Sequence, residues 1–168
     1  TKAGLSDGSA RVDVTNGLFI NATHIATFNA QITTFGVGLL GGAGADIDHT
    51  INATVTAEIG NDARVRARFM QIDADSHLDK PWLAGGADNI KGTTGGLASA
   101  AGATDDTLIS LDTRVRIGAR ADVSNGLSTS NFKLRSENHF AVFDKVAFTT
   151  GGALSGASVV ASITTTLN

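Results

Sequence analysis

The stretch DARVRA at residues 62–67 occurs twice more in altered form, as SARVDV at 9–14 and as GARADV at 118–123. The anchoring alanines, Ala10, Ala63 and Ala119, are 53 and 56 residues apart. Each copy is followed, in the same order, by a segment ending in histidine, a Thr-Thr pair near glycine, and a run of small residues. Ordered recurrence predicts a repeat protein. We expect one domain, 1–168, of three degenerate units of about 56 residues, with bounds near 5–60, 61–118 and 119–168.

The pattern within each unit is that of β-strands. In RVRARF (64–69) and INATVTAEI (51–59) apolar residues alternate with polar ones, which is the period of a strand with one buried face. No comparable helical period is present. Corner residues such as those in EIGND (58–62) and SNGL (124–127) supply positive φ at low cost. If each strand pairs with its homologue in the next unit, the fold is all-β, a parallel β-helix.

Two details of the β-helix follow from unit length and composition. A unit of about 56 residues is longer than the roughly 20 to 30 residues of a common solenoid coil, so we expect two or three coils per unit. The run GVGLLGGAGAD (36–46) is open to two interpretations, a flexible loop or a strand in a narrow interior. Its recurrence in all three units favours the strand.

Composition excludes several classes of function. The net charge is -3 and the pI is about 5.7, so we expect no nucleic-acid partner. The chain has no cysteine, which excludes disulfides, thiolate metal sites and thiol nucleophiles. No apolar run approaches the ~20 residues of a membrane span, so membrane insertion is not expected. The start, TKAGLSDGSARVDV, has no signal-peptide pattern and no initial Met, so we expect a processed chain or a piece of a longer protein.

The stretch VTAEIGNDARVRA at 55–67, followed by a strand, a Gly/Ala-rich run and a Thr-rich strand ending in Ile-Gly, resembles the repeats of filamentous-haemagglutinin-like bacterial adhesins. TRVRIGARADV at 113–123 is a second instance. The resemblance implies an elongated right-handed β-helix, exported to the bacterial cell surface or matrix, with an adhesive, biofilm or filament-forming role. Such repeats carry no catalytic motif, so the resemblance implies no enzyme and transfers no site residue.

Two groups of residues are candidates for metal binding. His24, His77 and His139 follow the repeat signature at equivalent positions, so an imidazole row along one face is a hypothesis. Alternate residues of a strand face the same way, which groups two further sets, Asp73, Asp75 and His77 in DADSH, and Asp46 and Asp48 in DIDH. Carboxylate pairs of this kind can hold Ca²⁺. The other interpretation is a hydrated polar face without a cofactor, which we prefer.

Binding and assembly have their own candidate residues. Two arginine groups, Arg64, Arg66 and Arg68, and Arg114 and Arg116, predict either a basic patch for anionic glycans or a neighbouring subunit, or a solvated face paired with local Asp and Glu, which we prefer. Trp82, after the single proline, is expected at the tip of an inserted loop, where it could contact a sugar. The last strand, with Val159 and Ile163, has no evident cap, so we expect end-to-end self-association. The alternatives are a polysaccharide-acting β-helix enzyme and a Ca²⁺-dependent surface module.

Overall fold

The computed structural model describes residues 1–8, 10–124 and 131–168. Over these residues the chain is nearly all-β, with one turn of 3₁₀ helix at Ala84–Gly86 and no α-helix, which confirms the predicted all-β class. The described strands are β1 (Lys2–Leu5), β2 (Arg11–Thr27), β3 (Ile32–Val37), β4 (Leu40–Ile59), β5 (Arg64–Lys80), β6 (Ile90–Gly95), β7 (Ala98–Ile117), β8 (Asp122–Ser124), β9 (Asn131–Val142), β10 (Val146–Gly151) and β11 (Leu154–Leu167).

The described strands form three sheets, and all of their pairings are parallel. Sheet I has the order β1-β4-β7-β11, and sheet III contains β3, β6 and β10, with β6 in the middle. In sheet II, β5 lies between β2 on one side and β8 followed by β9 on the other. The chain therefore visits sheets II, III and I in turn and then repeats the passage. This arrangement is compatible with a parallel β-helix or solenoid.

One predicted unit makes one passage through the three sheets. Leu40 pairs with Ala98, and Ala98 pairs with Leu154, so homologous residues of successive units lie on adjacent strands. The expectation of two or three coils per unit is therefore wrong. The reason is strand length, since β2 and β5 have 17 residues each and β4 and β7 have 20. Strands usually have about five or six residues, and these long ones use up a whole unit in a single coil.

Strand alternation directs apolar side chains into the space between the sheets. In β5, buried Val65 and Ala67 alternate with exposed arginines, as the sequence predicts. The largest buried cluster joins sheets I and II and includes Val55, Ile59 and Ile72. β11 is different, because it is exposed along nearly its whole length. The interior is thus well covered in the middle passage and open at the last one.

The corner between sheets I and II is held by a ladder of side-chain hydrogen bonds. The Asn61 N–H donates to Oδ1 of Asp7 (2.8 Å), and the Ala119 N–H donates to Oδ1 of Asn61 (2.7 Å). The next residue of each turn has positive φ: Gly8 (100°), Asp62 (59°) and Arg120 (55°). The structure thus confirms a corner at EIGND, whereas residues 125–127 of SNGL lie outside the described residues.

The corner between sheets III and I is built on stacked glycines. A Cβ on Gly96 would overlap the carbonyl oxygen of Gly38, and a Cβ on Gly152 would overlap that of Gly96. The φ values of Gly96 and Gly152 are 155° and 158°. The small-residue runs follow this corner directly as the first halves of β4, β7 and β11, so they are strands and not loops. A Cβ on Gly36 would overlap the carbonyl oxygen of Gly42, which shows how narrow the interior is there.

One sequence signature is aligned differently in the structure. Thr93 pairs with Thr149, as the TTGG signatures predict, but Thr93 pairs with Phe35 on the other side. The TTFG segment of the first unit is therefore shifted by two residues relative to the TTGG segments of the other two units. The glycine that occupies the corner in that unit is Gly38.

Candidate functional site

Ionisable side chains form an outward-facing group where β5 and β9 pair in sheet II. The register sets three residues of β5 beside three of β9, as the pairs Asp73–Arg135, Asp75–Glu137 and His77–His139. Alternate residues of a strand share one face, so all six project from the same side of the sheet. The second pair places two carboxylates side by side, and the third places two imidazoles side by side.

The imidazoles and carboxylates are in direct contact. The rings of His77 and His139 stack with centroids 4.4 Å apart and an interplanar angle of 20°. Asp75 reaches both rings, with Oδ2 3.5 Å from Nδ1 of His77 and Oδ1 3.7 Å from Nε2 of His139. Oε2 of Glu137 is 3.0 Å from Nε2 of His139. We call Asp75, His77, Glu137 and His139 the imidazole–carboxylate cluster.

Asp73, which the sequence grouped with Asp75 and His77, has other partners. Nε of Arg135 lies 3.6 Å from its Oδ1, and the Gln71 side chain donates a hydrogen bond to its Oδ2. The positive charge of Arg135 thus balances Asp73. The structure joins Asp75 and His77 to His139, which the repeat signatures align with His77, and it adds Glu137. Sequence spacing along one strand could not reveal Glu137, because it comes from the neighbouring strand 62 residues after Asp75.

The predicted row of three histidines is wrong for its first member. His77 does pair with His139, but His24 pairs with Ser76, and Ile25 takes the place opposite His77. The cause is a bulge between Val14 and Gly17, which shifts the β2–β5 register by one residue. Because a shift of one residue reverses the face of every side chain, His24 lies on the opposite face from His77.

The other predicted carboxylate pair stays apart from this cluster. Asp46 and Asp48 are both exposed on β4, as alternation predicts. In the register of sheet I they lie opposite Thr104 and Asp106 of β7. Among the residues that the structure describes, the group of three potential metal ligands within 4.8 Å of one another is Asp75, His77 and His139, and it does not include Asp46 or Asp48.

The two arginine groups lie on different sheets. Arg64, Arg66 and Arg68 project from β5 of sheet II, whereas Arg114 and Arg116 project from the end of β7 in sheet I, and all five are exposed. Acidic residues lie beside some of them in register: Asp122 beside Arg64, Asp13 beside Arg66 and Glu58 beside Arg116. Arg114 is also paired with Asp112. The single basic patch becomes two stripes, each partly balanced by neighbouring carboxylates.

Trp82 lies in the segment 81–89 between β5 and β6, which contains the 3₁₀ turn. The equivalent connections after β2 and β9 are shorter, at 28–31 and 143–145, so the loop is an insertion, as predicted. Trp82 is 53% exposed, and its ring stacks on Phe143 at a centroid distance of 5.3 Å. The pair forms a half-exposed aromatic surface at the junction of sheets II and III.

The predicted assembly residues lie on an open end of the molecule. Val159 pairs with Ala103 and Ile163 with Thr107, and both of those partners are buried. Val159 and Ile163 therefore point toward the interior, yet they are 45% and 46% exposed. The exposure arises because no described strand covers β11 on its outer side.

Sequence inspection missed a buried charge cluster at the corner between sheets II and III. Lys80 is fully buried, with Nζ 3.4 Å from Asp105 and in ionic contact with Asp144. Burial, together with the hydrogen bond that protonated Asp105 donates to Asp144, raises the pKa of Asp105 to about 6. Burial and the charge of Lys80 lower the pKa of nearby His49. The alternation along β5 could have indicated that Lys80 is buried, because every second residue before it faces inward: Ile72, Ala74, Ser76 and Leu78.

Comparisons with known proteins do not assign the chain to a family. No family model matches it, and no significant match was found among curated proteins or solved structures. The class defined by the fold is an all-β protein of parallel sheets, and the adhesin resemblance stays a prediction. Over the described residues, no helix has the length and apolar character that a membrane span requires.

Proposed function

We propose that this chain is a non-enzymatic, exported structural element, a right-handed parallel β-helix of three degenerate repeats that stacks end to end into a rod or filament. The observation that carries the proposal is the surface at β11, where inward-facing apolar side chains are half exposed and, among the described strands, none pairs with the outer edge. Unpaired edges are templates for pairing with another chain. Burial of such apolar surface favours association by roughly 25 cal/mol per Å².

The register of sheet I supports a second copy as the occupant of this end. β1 pairs with Thr56–Ile59 at the end of β4, and β4 in turn pairs with Arg114–Ile117 at the end of β7. β11 covers β7 only as far as Leu111, so within the described residues the edge of Arg114–Ile117 is open. In a stack, β1 of the second copy would take that edge, beside the end of β11.

The same stacking brings the two open ends together without a change of register. β11 pairs with β7 just as β7 pairs with β4, so β4 of the second copy would continue the series beyond β11. Contact between different surfaces of identical chains does not close, and it therefore produces a filament. Three strand layers per chain at ~4.8 Å give an expected rise of roughly 14 Å per subunit.

An adhesive role would use side surfaces that stacking leaves free. The Trp82–Phe143 pair offers a half-exposed aromatic face of the kind that stacks on sugar rings. The arginine stripes offer guanidinium groups that bind anionic groups in pairs of hydrogen bonds. We propose export to the cell surface or extracellular matrix on the resemblance to adhesin repeats.

The substitution Ile163→Lys tests the docking surface. It places a charge on the inward face of β11, where a second copy would bury it, but where the isolated chain leaves it half exposed. We expect the wild type to form filaments in electron micrographs and the variant to remain monomeric by light scattering. The circular dichroism spectrum of the two proteins should be the same.

The matched control is Thr164→Lys, which adds the same charge one residue away on the outward face of the same strand. It should assemble like the wild type. Filaments of Ile163→Lys that equal those of the wild type would refute this docking surface. A wild-type protein that stays monomeric throughout a concentration series would refute end-to-end stacking.

A further inference from the structure

We propose that the imidazole–carboxylate cluster is a binding site for a divalent transition-metal ion, with Zn²⁺ as the best match. The ligands would be His77 and His139, with Asp75 and Glu137 as the carboxylates. This inference does not depend on the proposed assembly, because all four residues come from β5 and β9 of one chain and project from the outer face of sheet II. The ion would join β5 to β9, two strands from successive passages of the chain.

The geometry requires only small side-chain movements. One ligand atom from each of Asp75, His77 and His139 lies within 4.8 Å of the others. In a tetrahedral zinc site with bonds of about 2.0–2.1 Å, ligand atoms are roughly 3.3 Å apart. The histidine side chains are about half exposed, at 52% and 50%, and are therefore free to close the difference by rotation.

Charge and hydrogen bonding in the cluster also favour a cation. The register puts the carboxylates of Asp75 and Glu137 on adjacent strands, and like charges placed directly opposite destabilise a sheet. Oδ1 of Asp75 is buried and has no hydrogen-bond partner. Arg135 contacts Asp73 and Glu137 and so compensates part of this charge. A metal ion would supply the remaining positive charge, and it would give Oδ1 of Asp75 a partner to bind.

The donor set distinguishes between classes of metal. Ca²⁺ and Mg²⁺ take oxygen ligands, and two imidazoles are not what they prefer. Imidazole nitrogen suits Zn²⁺, Cu²⁺ and Ni²⁺, and a mixed set of two histidines with carboxylates is typical of zinc. The Ca²⁺ alternative of the sequence analysis therefore does not fit this cluster.

Calorimetric titration of chelator-treated protein with ZnCl₂ tests the site, and a parallel titration with CaCl₂ tests its selectivity. We expect one Zn²⁺ per chain and no heat of binding with Ca²⁺. His139→Ala removes one ligand, so the Zn²⁺ affinity should fall at least about tenfold. Zn²⁺ at a fixed concentration should also raise the melting temperature of the wild type by more than that of the variant.

His24→Gln is the matched control, because it removes a histidine that lies outside the cluster. It should bind Zn²⁺ like the wild type. A second variant tests the register directly: Ile25 is exposed and lies beside His77, so Ile25→His should place a third imidazole in the row and strengthen Zn²⁺ binding. The stronger Zn²⁺ binding expected of Ile25→His tests the site even if His139→Ala fails to fold.

Two results would overturn the proposal. One is the absence of stoichiometric Zn²⁺ binding to the wild type. The other is equal Zn²⁺ affinity of the wild type and His139→Ala, when metal-free circular dichroism shows both to be folded.

Discussion

At the scale of single residues, the interior of this protein contains charge as well as apolar groups. Lys80 is buried with two carboxylates, Asp105 and Asp144, so the group would carry a net negative charge if all three were ionised. A proton on Asp105 removes that excess, and this accords with its raised pKa of about 6. A buried charge is costly unless it is paired, and here pairing and protonation act together.

The raised pKa predicts a stability that depends on pH. In the folded protein Asp105 keeps its proton up to about pH 6, whereas its ordinary pKa is 3.8. The folded state therefore binds more protons between these values, and the contribution of Asp105 to stability rises as pH falls from about 6 to about 4. His49 lies near the charges of Lys80 and Asp144, and its pKa is lowered. Its contribution to stability therefore falls as pH falls, because protonation of His49 opposes folding.

Asp105→Asn should remove this contribution while keeping the Lys80–Asp144 pair. Compared with the wild type, the free energy of unfolding of the variant should vary less between pH 4 and 6. Near pH 8 the variant should be as stable as the wild type or more stable, by up to about 3 kcal/mol, which is the energy of roughly two pKa units. Urea unfolding at several pH values measures both. An unchanged difference between the two proteins from pH 4 to 8 would contradict this role.

At the scale of elements, the corners determine where the long strands turn. The corner between sheets I and II uses a ladder through Asp7 and Asn61, and the turn residues Asp62 and Arg120 are joined by two hydrogen bonds of 2.6 and 2.8 Å. The hydrogen bond from Arg120 lowers the pKa of Asp62. The corner between sheets III and I depends on the close approach of glycine backbones.

Gly96→Ala tests the glycine corner. The new Cβ would overlap the Gly38 carbonyl oxygen, and the φ of 155° is unfavourable for alanine, so we expect a loss of at least about 2 kcal/mol in unfolding free energy. The control is Gly102→Ala in β7, where a Cβ meets no atom within 4 Å. That change should be neutral or stabilising by up to about 1 kcal/mol. Equal stability of the two variants in chemical denaturation would argue against a close-packed corner.

At the scale of the whole molecule, the sequence predicts the strands and the parallel pairing of units but not the number of coils. Alternation identifies which residues of RVRARF and INATVTAEI face inward, because the period of two is local. Where a strand ends is not a local property. Strands of 17 to 20 residues are long for any sheet, and neither composition nor periodicity distinguishes one long strand from two short ones.

The candidate site shows the same limit. Asp75 and His77 are alternate residues of one strand and could be grouped from the sequence, and the repeat aligns His139 with His77, whereas Glu137 joins them only through the β5–β9 register. The β2–β5 register likewise excludes His24 from the cluster, because the bulge near Gly17 adds one residue to β2. A repeat alignment that places residues one position out therefore assigns them to the wrong face.

One repeat makes one passage through the three sheets, and distances between homologous residues test this most directly. Asn52 and Ser110 are paired on adjacent strands, and Thr166 lies beside Ser110 on the next strand. The chain has no native cysteine, so pairs of cysteines can be introduced without interference. A disulfide needs Cα atoms within about 7 Å, and strands two apart are separated by roughly 9.6 Å.

The measurement is therefore intramolecular disulfide formation in two dilute, mildly oxidised variants, followed by intact mass and thiol labelling. Asn52→Cys with Ser110→Cys should form a bridge, and Asn52→Cys with Thr166→Cys should not. A unit wound into two or three coils would hold both pairs apart, so two reduced variants would contradict the account, as would a bridge between residues 52 and 166 alone.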